Sequence, residues 1–230
     1  DVAAWELRQI PYEHPKDYDP VRLDTGWFSG AAVLLRAQAF ASQGGFEPRI
    51  FMYGEDVDLA WRLRCAGWRL RYLPRCAVVH RTYSRPGEVK PLQALGSSFA
   101  NLCIRARFGD HADVRHGLRQ IFRALRQPEP FPGWRLGVAR AIAKFARHYP
   151  YFRRTHRDTP GFEPCLRDWD YEVRREGAFH PMLAAAEQSQ PRPQVTMIVL
   201  SAGRAAALRR ALACLEGQTH RPLECWVVGT

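Results

Sequence analysis

A chain of 230 residues with 46% hydrophobic content has the apolar material for a packed core, in one large domain or parts of two. Its net charge of +11 comes almost wholly from arginine, and implies attraction to something anionic: nucleic acid, membrane headgroups or a phosphorylated substrate. No apolar run reaches the roughly 18 residues that cross a bilayer, and the N-terminus DVAAWELRQI lacks the basic start and apolar centre of a signal peptide.

The missing initiator Met suggests a chain cut from something longer. Cys65, Cys76, Cys103, Cys165, Cys214 and Cys225 form no CxxC pair, which argues against a secreted disulfide framework and fits free thiols in a reducing cytosol. Cys65, Cys76 and His80 lack the paired spacing and the fourth ligand of a zinc site.

In chain order, residues 1–24 read as a loop-rich entry, punctuated by Pro11, Pro15 and Pro20. Trp27 to Arg36, WFSGAAVLLR, reads as a strand. A brief helix from Gln38 to Gln43 is stopped by Gly44 and Gly45, and Phe46 to Met52 crosses back as an aromatic strand. FMYGEDVD then leads into a helix over about residues 56–66. Val57, Ala60, Trp61 and Leu63 form its apolar stripe, Arg62 and Arg64 lie off the stripe, and Gly67 closes it. Trp68, Leu70 and Tyr72 alternate with Arg69 and Arg71 as a half-exposed strand. Pro74 interrupts that strand, and residues 76–79 form a short buried strand ending at His80.

Residues 91–157 repeat apolar side chains at helical spacing in three sets. These are Leu92, Leu95, Phe99, Leu102 and Cys103; then Val114, Leu118, Ile121, Phe122 and Leu125; then Leu136, Ala139, Ile142, Ala143 and Ala146. Pro128, Pro130 and Pro132 separate the last two helices. Between Asn101 and Pro160 there are 13 Lys/Arg against 4 Asp/Glu, so the positive charge concentrates here. Solvated basic faces, docking on an anionic membrane and nucleic-acid binding all remain open on charge alone. No nucleic-acid motif accompanies the arginines.

Residues 158–193 read as a proline-rich linker. A strand from Val195 to Leu200, a turn at residues 201–204, a helix from Ala205 to Leu215 and a strand from Leu223 to Val228 then make a β–α–β unit. The expected division is therefore 1–90, a basic helical extension at 91–157, the linker at 158–193, and a new α/β start at 194–230.

Glu55 and Asp56 stand at a helix N-terminus, where the dipole and unpaired N–H groups favour negative charge. Read alone, the pair is a helix cap. WFSGAAVLLR, GGFEPRIFMYGEDVDLAWRLRCAGWRLRYLP and the strand-final His80 together resemble the C-terminal half of family 2 glycosyltransferases of the GT-A fold, in particular rhamnosyltransferase-like bacterial members. VTMIVLSAGRAAALRRALACLEGQTHRPLECWVV resembles the opening β–α–β of a second such domain. The resemblance is strong over residues 25–80, good over 195–228 and loose over 81–157. The fold class it implies is α/β: the C-terminal part of a GT-A-like sheet, a basic helical region and the start of a second GT-A-like domain.

The resemblance further implies inverting transfer from a nucleotide-sugar donor to a saccharide or lipid-linked acceptor in surface polysaccharide synthesis, in the cytoplasm or at the inner face of the plasma membrane. A positioned carboxylate must take the acceptor's proton, which maps onto Asp56, with Glu55 orienting the acceptor or the helix end. His80 maps onto a ligand of the divalent cation, Mg or Mn, that offsets charge on the departing diphosphate. Phe28, Ser29 and Gly30 match the segment lining the sugars, and Trp27 offers an aromatic face. Read without the family, Trp27 and Phe28 are core aromatics and His80 a strand-end histidine.

The sequence departs from the family in having no nucleotide-binding β–α–β and no DxD-type motif before Trp27. The chain alone is therefore expected to be catalytically silent. Ser201, Ala202 and Gly203 replace the usual Thr-Tyr-Asn, and Gly229 stands where an acidic pair is usual. The alternative is a non-catalytic basic module that binds a membrane surface or nucleic acid.

Overall fold

The computed structural model describes residues 1–10, 19, 22–81, 89–164, 166, 194–201, 205–217 and 223–229. Pro11, Pro15, Pro20, the turn at 202–204 and most of the expected linker lie outside them. Two compact units, residues 1–180 and 181–230, are each described by themselves.

In the first unit a three-stranded sheet is built around β1 (Val2–Ile10), with order β2–β1–β3. The N-terminal ten residues are thus a central strand, not a loop-rich entry. β1 pairs antiparallel with β2 (Val33–Leu35) and parallel with β3 (Arg69–Val79). Register shifts at Val2/Ala4 and at Leu7/Arg8 break the two-residue alternation of β1, so that Ala3, Ala4, Glu6 and Gln9 are its buried residues.

Other expectations around the sheet also change. Only Val33–Leu35 of the expected Trp27–Arg36 strand pairs, because a turn closed by the Ala32 amide on the Ser29 carbonyl precedes it. Residues 46–52 form no strand. The Ile50 amide turns back onto the Glu47 carbonyl, and both Tyr53 (φ 66°) and Gly54 (φ 129°) have positive φ. β3 runs through Pro74 as one strand, the partner register jumping from Leu73 to Ala77. Its end is not buried: Cys76, Ala77 and Val79 are exposed.

Helix α1 (Ala37–Ser42) ends at Gly44 and Gly45, both at positive φ. Helix α2 (Glu55–Cys65) starts after Gly54 and ends at Gly67 (φ 82°), whose amide reaches the Arg64 carbonyl while that of Trp68 reaches Leu63. These two bonds are a Schellman closure, as the glycine predicts. Arg62 is buried, contrary to its place off the apolar stripe, because Asp58 one turn earlier pairs with it.

Helices α3 (Pro91–Phe108), α4 (His111–Leu125) and α5 (Trp134–Arg154) occupy the expected helical region. Asp110 and Asp113 close a capping box at the start of α4. The stripe of α5 differs from the expected one: Trp134, Val138, Ala141, Phe145 and Phe152 are buried, whereas Leu136 is exposed. Leu92 and Phe122 are exposed as well. Phe99, Leu102 and Cys103 of α3 join the core formed with α4 and α5, while its Ile104 and Phe108 join the core under the sheet. Phe162 and Leu166, from the stretch read as linker, pack into the second of these cores.

In the second unit β4 (Val195–Ser201), α6 (Ala205–Glu216) and β5 (Leu223–Gly229) form the expected β–α–β. The strands run parallel from Val195 opposite Leu223 to Ser201 opposite Gly229. The protein is a mixed α/β chain. Among the described residues no helix is long and apolar enough to cross a membrane.

Candidate active site

The first turn of α2 carries Glu55, Asp56 and Asp58. Gly54 precedes them with no side chain to cap the helix, and an added Cβ there would lie 2.6 Å from that of Ala100. The positive φ and this close approach to α3 both require glycine. The acidic residues therefore carry the negative charge at this N-terminus.

Asp56 and Gly30 are brought together by the fold. The Gly30 amide donates to Asp56 Oδ2 at 2.9 Å and the Val57 amide to Oδ1 at 2.8 Å. At the other end of α2, Arg64 donates to the Gly26 carbonyl at 3.2 Å, so the 26–30 segment is tied to both ends of the helix. Glu55 is half-buried, and among the described residues its Oε2 has no hydrogen-bond partner. Burial, then the neighbouring Asp56 charge, push its carboxyl above the usual carboxylate range.

The remaining predicted residues divide. Trp27 is half-buried, with its carbonyl accepting from Thr25 Oγ1 at 3.1 Å. Phe28 is fully buried, in the core with Leu59 and Leu63, and presents no ring face to a sugar. The Ser29 side chain is buried too, and its amide donates to Glu6 Oε1 at 3.0 Å. Gly30 is exposed beside Asp56.

His80 follows β3, its amide donating to the Ile10 carbonyl at 2.9 Å, and its Nδ1 lies 2.8 Å from Gln9 Oε1. An amide oxygen only accepts, so in this contact Nδ1 is the donor, and in the neutral ring Nε2 is then the nitrogen with a lone pair. Among the described residues no three His, Cys, Asp or Glu side chains converge as a metal site. His80 is one nitrogen, not a complete site.

Sequence reasoning missed Glu6 and Gln9, which orient Ser29 and His80. Their signal was the broken alternation of β1, polar residues at buried positions of a strand.

No family model matches the chain. Over 70 residues it is 48% identical to the N-acetylglucosaminyl-diphospho-decaprenol L-rhamnosyltransferase of Mycobacterium tuberculosis, which covers 30% of this chain and 23% of that protein. It is 43% identical over 54 residues to rhamnosyltransferase WbbL of Escherichia coli, 24% of this chain and 20% of the relative. It is 50% identical over 77 residues to the pre-mycofactocin glycosyltransferase of Mycobacterium tuberculosis, 33% and 16%. Its homologues are rhamnosyltransferases and other glycosyltransferases of the family 2 type. The chain matches less than a quarter of the length of these relatives. The mixed α/β architecture agrees with a GT-A-like fold for a rhamnosyltransferase homologue.

Proposed function

We propose that the chain is part of a nucleotide-sugar-dependent inverting glycosyltransferase of surface polysaccharide synthesis, with Asp56 as general base. The observation that carries it is the Asp56 carboxylate, fixed by the Gly30 and Val57 amides at the start of α2 in a rhamnosyltransferase homologue. As the acceptor hydroxyl oxygen bonds to the anomeric carbon, the bond from that carbon to the nucleoside diphosphate breaks and the configuration inverts. The hydroxyl proton passes to Asp56. Two amide donors hold the Asp56 carboxyl aimed one way, so the proton transfer needs no side-chain search. Glu55, desolvated beside it, orients the acceptor, with Trp27 and Gly30 at the sugar.

His80, through the nitrogen that Gln9 leaves, is proposed as one ligand of a Mg or Mn ion. Such an ion would offset charge on the leaving diphosphate. The acceptor is proposed to be a saccharide on a lipid diphosphate, in keeping with the first of the relatives. Incubating the intact protein with dTDP- or UDP-sugars tests the reading. Nucleoside diphosphate release that depends on added lipid-linked acceptor supports it, and release indifferent to acceptor refutes it.

Peripheral contact with the inner membrane face is proposed as well, on a specific surface. Exposed Phe122 sits among exposed Arg115, Arg119 and Arg123 of α4 and Arg126 just after its end, at helical spacing. Co-sedimentation with vesicles that contain anionic lipid, reversed by salt, is the expected result. Salt-insensitive or absent binding leaves these arginines as solvated surface.

A further inference from the structure

We infer that the helical region braces the acidic pair, and that Arg107 of α3 is the positioning residue of Asp56; this rests on the proposed role of Asp56. Arg107 is 2% exposed. Its Nη1 donates to Asp58 Oδ1 and its Nη2 to Glu47 Oε2 at 2.6 Å, with Oγ1 of Thr155, the residue that follows α5, a third acceptor at 3.3 Å. Asp58 is wholly buried, and its second oxygen takes Arg62 Nε at 2.8 Å. Arg62 in turn donates to the carbonyls of Gln43 and Gly45 at 2.6 and 2.7 Å. The Tyr151 hydroxyl donates to Glu47 Oε2 at 3.0 Å. A single buried charge cluster thus joins α2, α3, α5 and the 43–47 turn.

Asp58 lies within the same helical turn as Glu55 and Asp56, so whatever fixes Asp58 fixes their backbone. The same face of α3 sets the other side of that turn. A Cβ at Gly96 would lie 2.8 Å from the Met52 carbonyl oxygen, and one at Gly54 would lie 2.6 Å from Ala100 Cβ and 3.5 Å from Ile104 Cδ1. Residues 96, 100, 104 and 107 recur at helical spacing and form one stripe. Small side chains on it seat the backbone before the acidic pair, and Arg107 grips the residue after it. Replacing a buried ion cluster by apolar side chains of like size is often neutral or stabilising, so stability alone does not require this one. What it supplies here is a fixed position for the first turn of α2.

The readout is the Gly30 amide, which donates to Asp56 Oδ2 and whose proton shift follows Asp56 titration only while that bond holds. The 230-residue chain is titrated by NMR as wild type, Arg107→Lys and Asp58→Asn, with circular dichroism as the check on folding. The expected result is that the pH-dependent step at Gly30 falls by more than about half in both variants, while the sheet amides of β1 keep their shifts. If Arg107→Lys does not fold, Asp58→Asn, which keeps the size, carries the test. A full-sized Gly30 step in a folded variant overturns the inference.

In the intact protein, Arg107→Lys is expected to lower kcat roughly tenfold to a hundredfold, with the donor KM within about twofold of wild type. Unchanged kcat with lowered thermal stability would mean a merely structural Arg107 and also overturns the inference. If the Gly30 step is lost but Asp56→Asn leaves transfer intact, the brace stands and the catalytic reading of Asp56 falls.

Discussion

Replacing Glu47 by Gln keeps the side chain's size and removes one buried negative charge. Glu47 accepts from Arg107 at 2.6 Å, from Arg49 at 3.0 Å and from the Tyr151 hydroxyl at 3.0 Å. Burial alone would raise its carboxyl, but the hydrogen bonds of Arg107 and Arg49 outweigh burial and bring it from 4.5 down to about 2. At ~1.4 kcal/mol per pH unit, this is about 3 kcal/mol of stability held by the ionised group. The folded value lies below the unfolded one. The contribution is therefore complete above about pH 4.5, lost as pH falls, and gone below about pH 2. Urea denaturation followed by tryptophan fluorescence is expected to find Glu47→Gln about 3 kcal/mol less stable at pH 7. The gap to wild type then narrows from pH 4.5 towards 2. No gap at pH 7, or a gap that stays constant through that window, would refute the reasoning.

Gly54→Ala combines a φ of 129° with a Cβ placed 2.6 Å from Ala100 Cβ, so a loss of about 2 kcal/mol or more is expected in thermal unfolding. Wild-type stability would show that the first turn of α2 is not seated against α3. Among the described cysteines, Cys76, Cys214 and Cys225 are exposed, whereas Cys103 is buried and burial pushes its thiol up. Brief maleimide treatment of the native chain, mapped by mass spectrometry, is expected to label the exposed three and spare Cys103. Labelling of Cys103 would contradict its place in the helical core.

Legibility followed locality. α2 with its glycine closure, α1 with its paired glycines and the terminal β–α–β are written in short-range patterns, and each appears where expected. β1 was hidden because two register shifts scramble its alternation and put Glu6 and Gln9 on buried positions. The face of α5 was misassigned because its alanines offer several apolar stripes, and Trp134, Phe145 and Phe152 select one only when α3 is present. The place of the acidic pair at the start of α2 was readable from its motif. Its supports were not: Arg107 and Asp58 lie 49 residues apart, and Arg107 in sequence is one of many basic residues on a charged helix. Of the thirteen basic residues between Asn101 and Pro160, the buried or half-buried Arg105, Arg107, Arg153 and Arg157 direct hydrogen bonds into the protein. Charge density alone therefore overstated the basic surface.

In the proposed reaction Asp56 takes the proton of the acceptor. Asp56→Asn keeps a side-chain oxygen for the Gly30 amide and removes the base. Single-turnover sugar transfer by the intact protein, measured with donor binding by calorimetry, tests it most directly. Transfer is expected to fall by a factor of about 100 to 10,000, the usual worth of a general base, with the donor Kd unchanged. Transfer at the wild-type rate by Asp56→Asn would contradict it.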